Sequence, residues 1–134
     1  MPRYTAKPHE NQEDKKPKWC ICVDGIPDLA LGLFDTPGGA EAKAQEMSAS
    51  FCELERWIKP KGAERSEVDI NYSDWFGPIK KLDEFHVIQK FGRAYAIHVI
   101  DKLDAVPTLN DSSTEIKYRD GRGTVTVRAV GIRR

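Results

Sequence analysis

No run of apolar residues in this chain approaches the ~18 that a membrane-spanning helix needs, so no membrane segment is predicted. Met1 to Lys18 is polar, holds Pro2, Pro8 and Pro17, and contains no apolar stretch of the kind a secretory signal uses. Cysteine is scarce, with only Cys20, Cys22 and Cys52. A small odd number in an untargeted chain implies reduced thiols and a cytoplasmic protein rather than a disulfide scaffold. Cys20-Ile21-Cys22 lacks zinc-turn spacing, because residues i and i+2 share one face of a strand. Buried thiols are expected there, with no metal and no cofactor.

Phosphate-binding glycine loops are missing too. Thr36-Pro37-Gly38-Gly39-Ala40 precedes a helix, but it has neither the dinucleotide glycine spacing nor the Lys-Ser/Thr of a P-loop. No nucleophile, base and orienting acid group together along the chain, so no catalytic residue is assigned. Net charge is absent as well: 21 Lys and Arg balance 21 Asp and Glu. That balance hides a segregation. Asp24 to Glu55 carries seven acids against Lys43, whereas Lys117 to Arg134 carries six bases against Asp120. Such asymmetry governs association rather than fold.

What is present fits one globular domain, with 134 residues, 40% hydrophobic and 31% charged. Residues 1–17 are expected to form a disordered N-terminal arm, and 18–134 a single α+β domain. Its strongest element is a helix over about 37–58. Thr36 is a good N-cap, and Pro37 at the first helical position sacrifices only an N–H that would be orphaned anyway. Ala40, Ala44, Met47, Phe51, Leu54 and Ile58 recur at alternating steps of four and three, which makes one apolar stripe. The stripe is read as core, packed on one face of an antiparallel sheet of about five to six strands built from hairpins.

Those hairpins are read from turn residues and alternation. Lys18–Val23 and Leu29–Asp35 flank the turn cluster Asp24-Gly25-Ile26-Pro27-Asp28. Val68–Tyr72 is a short strand, followed by an irregular apolar run through Trp75 and Phe76 to Ile79, read first as a plug over the core and second as a recognition loop. Phe85–Ile100 is read as a hairpin, with a helix as the alternative; the hairpin takes a three-residue loop, Phe91-Gly92-Arg93, because that register sorts the apolar residues best. It sets His86 directly opposite His98. Ile116–Arg119 and Thr124–Val130 form a last hairpin, with Arg119 paired to Thr124. Ile116, Tyr118 and Val125 then face the core, and Lys117, Arg119, Thr124, Thr126 and Arg128 face solvent.

The expected function is non-catalytic macromolecular binding, first as a regulatory or inhibitory protein-interaction module of the kind carried by phages and mobile elements. Its partner would meet the acids Asp24, Asp28, Glu46 and Glu53, or the aromatic loop at Trp75 and Phe76. The alternative is nucleic-acid binding through Lys117, Arg119, Arg122 and Arg128 on the terminal hairpin. That surface shows no aromatic side chain for base stacking at this level, since Tyr118 points to the core. An enzyme with an unrecognised site ranks third.

Overall fold

Thr36 caps the helix as its side chain and position imply: in the computed structural model of the chain its Oγ1 accepts a hydrogen bond from the Gly39 N–H at 3.1 Å. The structure describes residues 2–9, 17–62 and 64–127. The helix, α1, covers Pro37–Ile58, and all six residues of its apolar stripe are buried. The fold is α+β, one helix with antiparallel and mixed sheets and no closed barrel among the described residues. The chain divides into two compact units, residues 1–52 and 53–134, and the boundary falls inside α1.

The first unit is a four-stranded antiparallel sheet with the N-terminal part of α1. Its strands are β1 (Tyr4–His9), β2 (Lys18–Val23), β3 (Ile26–Pro27) and β4 (Leu33–Phe34). β1 corrects the expectation of a disordered arm over residues 4–9. It pairs with the whole of β2, Tyr4 opposite Val23 through His9 opposite Lys18. The cause is tertiary, and composition concealed it. Tyr4 is buried, its ring meets Phe51 edge-on at 6.5 Å, and its backbone N–H and carbonyl both bond the Ser48 hydroxyl on α1. Arg3 lies over the Phe51 ring at 4.3 Å, covering the same side chain from solvent. Residues 10–16 of the expected arm lie outside the described residues.

β2 matches the expected strand, and the expected second strand over Leu29–Asp35 does not form as a whole. Asp24 and Gly25 both have positive φ, the geometry of a two-residue I′ hairpin turn, so the return strand starts at once as β3. Asp28 then accepts a bond from the Ala30 N–H and caps a 3-10 turn at Leu29–Leu31. Gly32, at φ 107, releases the chain into the short β4.

The second unit is a six-stranded sheet in the order β10-β9-β6-β7-β8-β5. β5 (Glu64–Ser66) runs parallel to β8, and every other pair is antiparallel. The rest are β6 (Tyr72–Leu82), β7 (His86–Phe91), β8 (Ala94–Val99), β9 (Asn110–Arg119) and β10 (Arg122–Val127). The expected strand at Val68–Tyr72 is corrected: Asp69 receives the Asn71 N–H at 2.9 Å and turns the chain, and the strand begins at Tyr72. The run through Trp75 and Phe76 is therefore strand, not loop. Consecutive strand residues point to opposite faces, so Trp75 enters the core and Phe76 faces outward. Gly77 is required where β6 approaches β7, because a Cβ there would stand 1.9 Å from the Lys90 carbonyl oxygen.

Both later hairpins have two-residue loops. β7 and β8 pair Phe91 with Ala94, with positive φ at Gly92 as in a II′ turn. This overturns the three-residue register and the facing histidines: His86 sits opposite Val99, and His98 opposite Val87. The sequence criterion failed because both faces of β7 and β8 are buried, which erases the alternation that would discriminate registers. On one face Tyr95 packs edge-on against Trp57 at 5.5 Å, and the other lies over Trp75, Ile79, Ile116 and Tyr118. β9 and β10 turn at Asp120-Gly121, both at positive φ, so Arg119 pairs with Arg122 rather than Thr124. The shift is two residues, so the side chains of 115–119 and 122–126 keep their assigned faces.

Candidate functional site

A connected polar constellation lies inside the sheet of the second unit. Gln89 Nε2 donates to the carbonyls of Gly77 (3.1 Å) and Thr114 (2.7 Å), which uses both of its N–H groups. Its Oε1 must then accept from His98 Nε2, at 2.9 Å, so that nitrogen carries the ring proton. Nδ1 is left as an acceptor for the Tyr118 hydroxyl at 2.7 Å. Proton donation thus runs in one direction, from Tyr118 through His98 and Gln89 to two backbone carbonyls, and ties β6, β7, β8 and β9 together. Burial holds the His98 imidazole neutral, with its pKa lowered to about 3, and pushes the Tyr118 phenol above its ordinary value. Gln89, His98 and Tyr118 are all but inaccessible to solvent. Such a network gives the sheet a unique register, and no reactant can reach it. One group beside it is unsatisfied: Thr114 Oγ1 is buried with no partner among the described residues.

The accessible constellation is the outer face of β6, β9 and β10. Pairing in register sets Tyr72 beside Arg119, Asp74 beside Lys117 and Phe76 beside Glu115. On the far side of β9, Arg122 stands opposite Arg119 and Thr124 opposite Lys117. Tyr72 is 67% exposed and Phe76 42%, while Trp75 between them is at 9% in the core. Arg119 stacks over the Tyr72 ring at 4.0 Å, donates to Asp74 Oδ1 at 2.9 Å and also donates to the Tyr118 carbonyl. These contacts fix the guanidinium and back the aromatic ring. The Arg119 hydrogen bond holds the Asp74 carboxyl below its usual pKa. Lys117 is half exposed and makes a loose 3.9 Å pair with Glu115. Arg122 is exposed, and two arginines facing each other across a hairpin is an arrangement that stability alone disfavours. Thr124 and Thr126 are exposed on the edge strand beside them.

Of the residues singled out in the sequence, Lys117, Arg119 and Arg122 come together on this face, joined by Phe76. Arg128 lies outside the described residues. Trp75 belongs to the core. Asp24 and Asp28 hold loops: Asp24 pairs with Arg3 at 3.3 Å, and Asp28 caps the 3-10 turn. Glu46 and Glu53 are exposed on the outer side of α1. Sequence reasoning missed Tyr72. The signal was available, because Tyr72, Asp74 and Phe76 alternate with Ser73, Trp75 and Gly77, and Trp75 in the core sends the other set outward. Cys20 and Cys22 are buried and Cys52 is exposed, all as free thiols. Among the described residues no three His, Cys, Asp or Glu gather to hold a metal, and no helix is long and apolar enough to cross a membrane.

A family model described as KfrB Domain matches residues 76–127. The matched segment runs from Phe76 in β6 to the end of β10, and takes in the buried network and the three basic residues of the outer face. No curated protein and no solved structure matches the chain.

Proposed function

We propose that this chain is a non-catalytic, cytoplasmic macromolecule-binding protein whose partner is a nucleic acid laid across the outer face of β6, β9 and β10. The observation that carries this reading is the cofacial arrangement of Lys117, Arg119 and Arg122 with exposed Tyr72 and Phe76. Basic residues neutralise phosphates and release counterions, and exposed rings supply the surface for bases. Of the two acids on the face, Asp74 neutralises Arg119 and Glu115 is largely covered, which leaves Lys117 and Arg122 to meet phosphates. KfrB is a plasmid-related family, and its match covers the basic half of this surface, which agrees with a nucleic-acid partner.

The test is an anisotropy titration of a labelled oligonucleotide at several salt concentrations. Two phosphate contacts, at Lys117 and Arg122, would give a log–log slope of about −1.4 on a single strand. Lys117→Glu with Arg122→Glu is expected to abolish binding while leaving the fold intact, since both side chains are exposed. Binding without salt dependence, or unchanged binding by the double variant, would refute the proposal.

A second reading keeps a protein partner and a regulatory or inhibitory role. It rests on Glu46 and Glu53, which lie seven positions apart and exposed on the outer side of α1. Charge reversal at both is the damaging change on that reading, and Lys117 and Arg122 variants bind normally.

A further inference from the structure

We infer that the nucleic acid is single-stranded and is held by stacking of its bases on Tyr72 and Phe76, with its backbone along Lys117 and Arg122. This deepens the proposed function and rests on it. Tyr72 and Phe76 lie four residues apart on β6, which sets their rings about 13 Å apart at the rise of a strand. Neighbouring bases in a duplex strand are only about 3.4 Å apart and present edges, not faces, to a protein. Two rings at the wider spacing can each take a base only from a strand whose bases are splayed. The rings project from the β6, β9 and β10 part of a six-stranded sheet, a face broader than the helix or two-stranded ribbon that a duplex groove admits.

The Tyr72 ring is also prepared for a base. Arg119 backs it at 4.0 Å, and Arg119 is itself held by Asp74 and the Tyr118 carbonyl, so the platform is ordered before any ligand arrives. Lys117 and Arg122 flank the rings on β9 and β10, where the backbone of a strand stacked on β6 would run. Thr124 and Thr126 place hydroxyls on the outermost strand, within the same face, as further phosphate donors. The arrangement reads no base edge, so affinity is expected to be tolerant of sequence.

The experiment compares oligo-dT of about 12 nucleotides, within the usual site size of such surfaces, with a duplex of equal length. Wild type, Tyr72→Ala, Phe76→Ala and the Leu variants at both positions are each titrated. Leu keeps apolar bulk without a stacking face and controls for folding, which circular dichroism checks. The single strand is expected to bind at least tenfold tighter than the duplex. Each Ala or Leu variant is expected to lose about 5- to 100-fold on oligo-dT with its salt slope unchanged, because no phosphate contact is removed. Equal affinity for duplex with no loss in the ring variants would overturn the single-strand inference and leave nucleic-acid binding standing. Failure to bind either oligonucleotide would overturn the proposed function itself.

Discussion

Acidification from pH 7 to pH 5 should destabilise the second unit through one side chain, His98. Burial lowers its pKa to about 3 from an ordinary 6.5, so the unfolded chain binds the proton and the folded one does not. The sign follows: the contribution is fully present above pH 6.5 and is lost as pH falls toward 3. Over the whole range it amounts to on the order of 4–5 kcal/mol, and between pH 7 and pH 5 to about 2 kcal/mol. Urea unfolding followed by tryptophan fluorescence reads this well, since the Trp75 ring lies 6.0 Å from that of His98. With a denaturant slope of about 2 kcal/mol/M, the midpoint should fall by roughly 1 M. His98→Gln removes the titrating group but keeps a donor for Gln89 and an acceptor for Tyr118. It should be less stable at pH 7 and lose most of the acid sensitivity that wild type shows over this interval. An equal drop in wild type and variant would refute the assignment of that sensitivity to His98.

Two substitutions near the same network should act with opposite sign. Tyr118→Phe strips His98 Nδ1 of its donor and should cost about 1–3 kcal/mol, whereas Thr114→Val removes an unpartnered buried hydroxyl and should be neutral or stabilising by up to ~1 kcal/mol. Denaturant midpoints check both. Phe51→Asp places a charge between Tyr4 and Arg3 in the first unit and should cost more than about 3 kcal/mol, visible as lost amide dispersion in that unit.

How legible the fold was depended on whether one face or two were buried. α1 was readable to the residue because one stripe is buried and the other sides are wet, and Thr36 marks the start. The terminal hairpin kept its faces despite a misplaced turn, since an error of two residues preserves alternation. Its turn was readable in principle: Asp120-Gly121 is the pair that I′ geometry favours. β7 and β8 were not readable in register, because Gln89 and His98 are polar residues inside the sheet, satisfied by partners on other strands that no local pattern reveals. β1 was missed for the same reason. Its composition is that of a loose segment, and it is ordered by β2 and by Ser48 and Phe51 far along the chain. The basic half of the candidate surface was visible in the charge distribution. Its aromatic half was not, since nothing local says that β6 pairs with β9.

The most direct test of the central claim is residue-level mapping by NMR, titrating oligo-dT into the labelled protein and following amide shifts. Perturbations are expected at Tyr72 to Phe76, Glu115 to Arg119 and Arg122 to Thr126, the outer face of β6, β9 and β10. Shifts confined to α1 around Glu46 and Glu53, or no shifts at all, would contradict it.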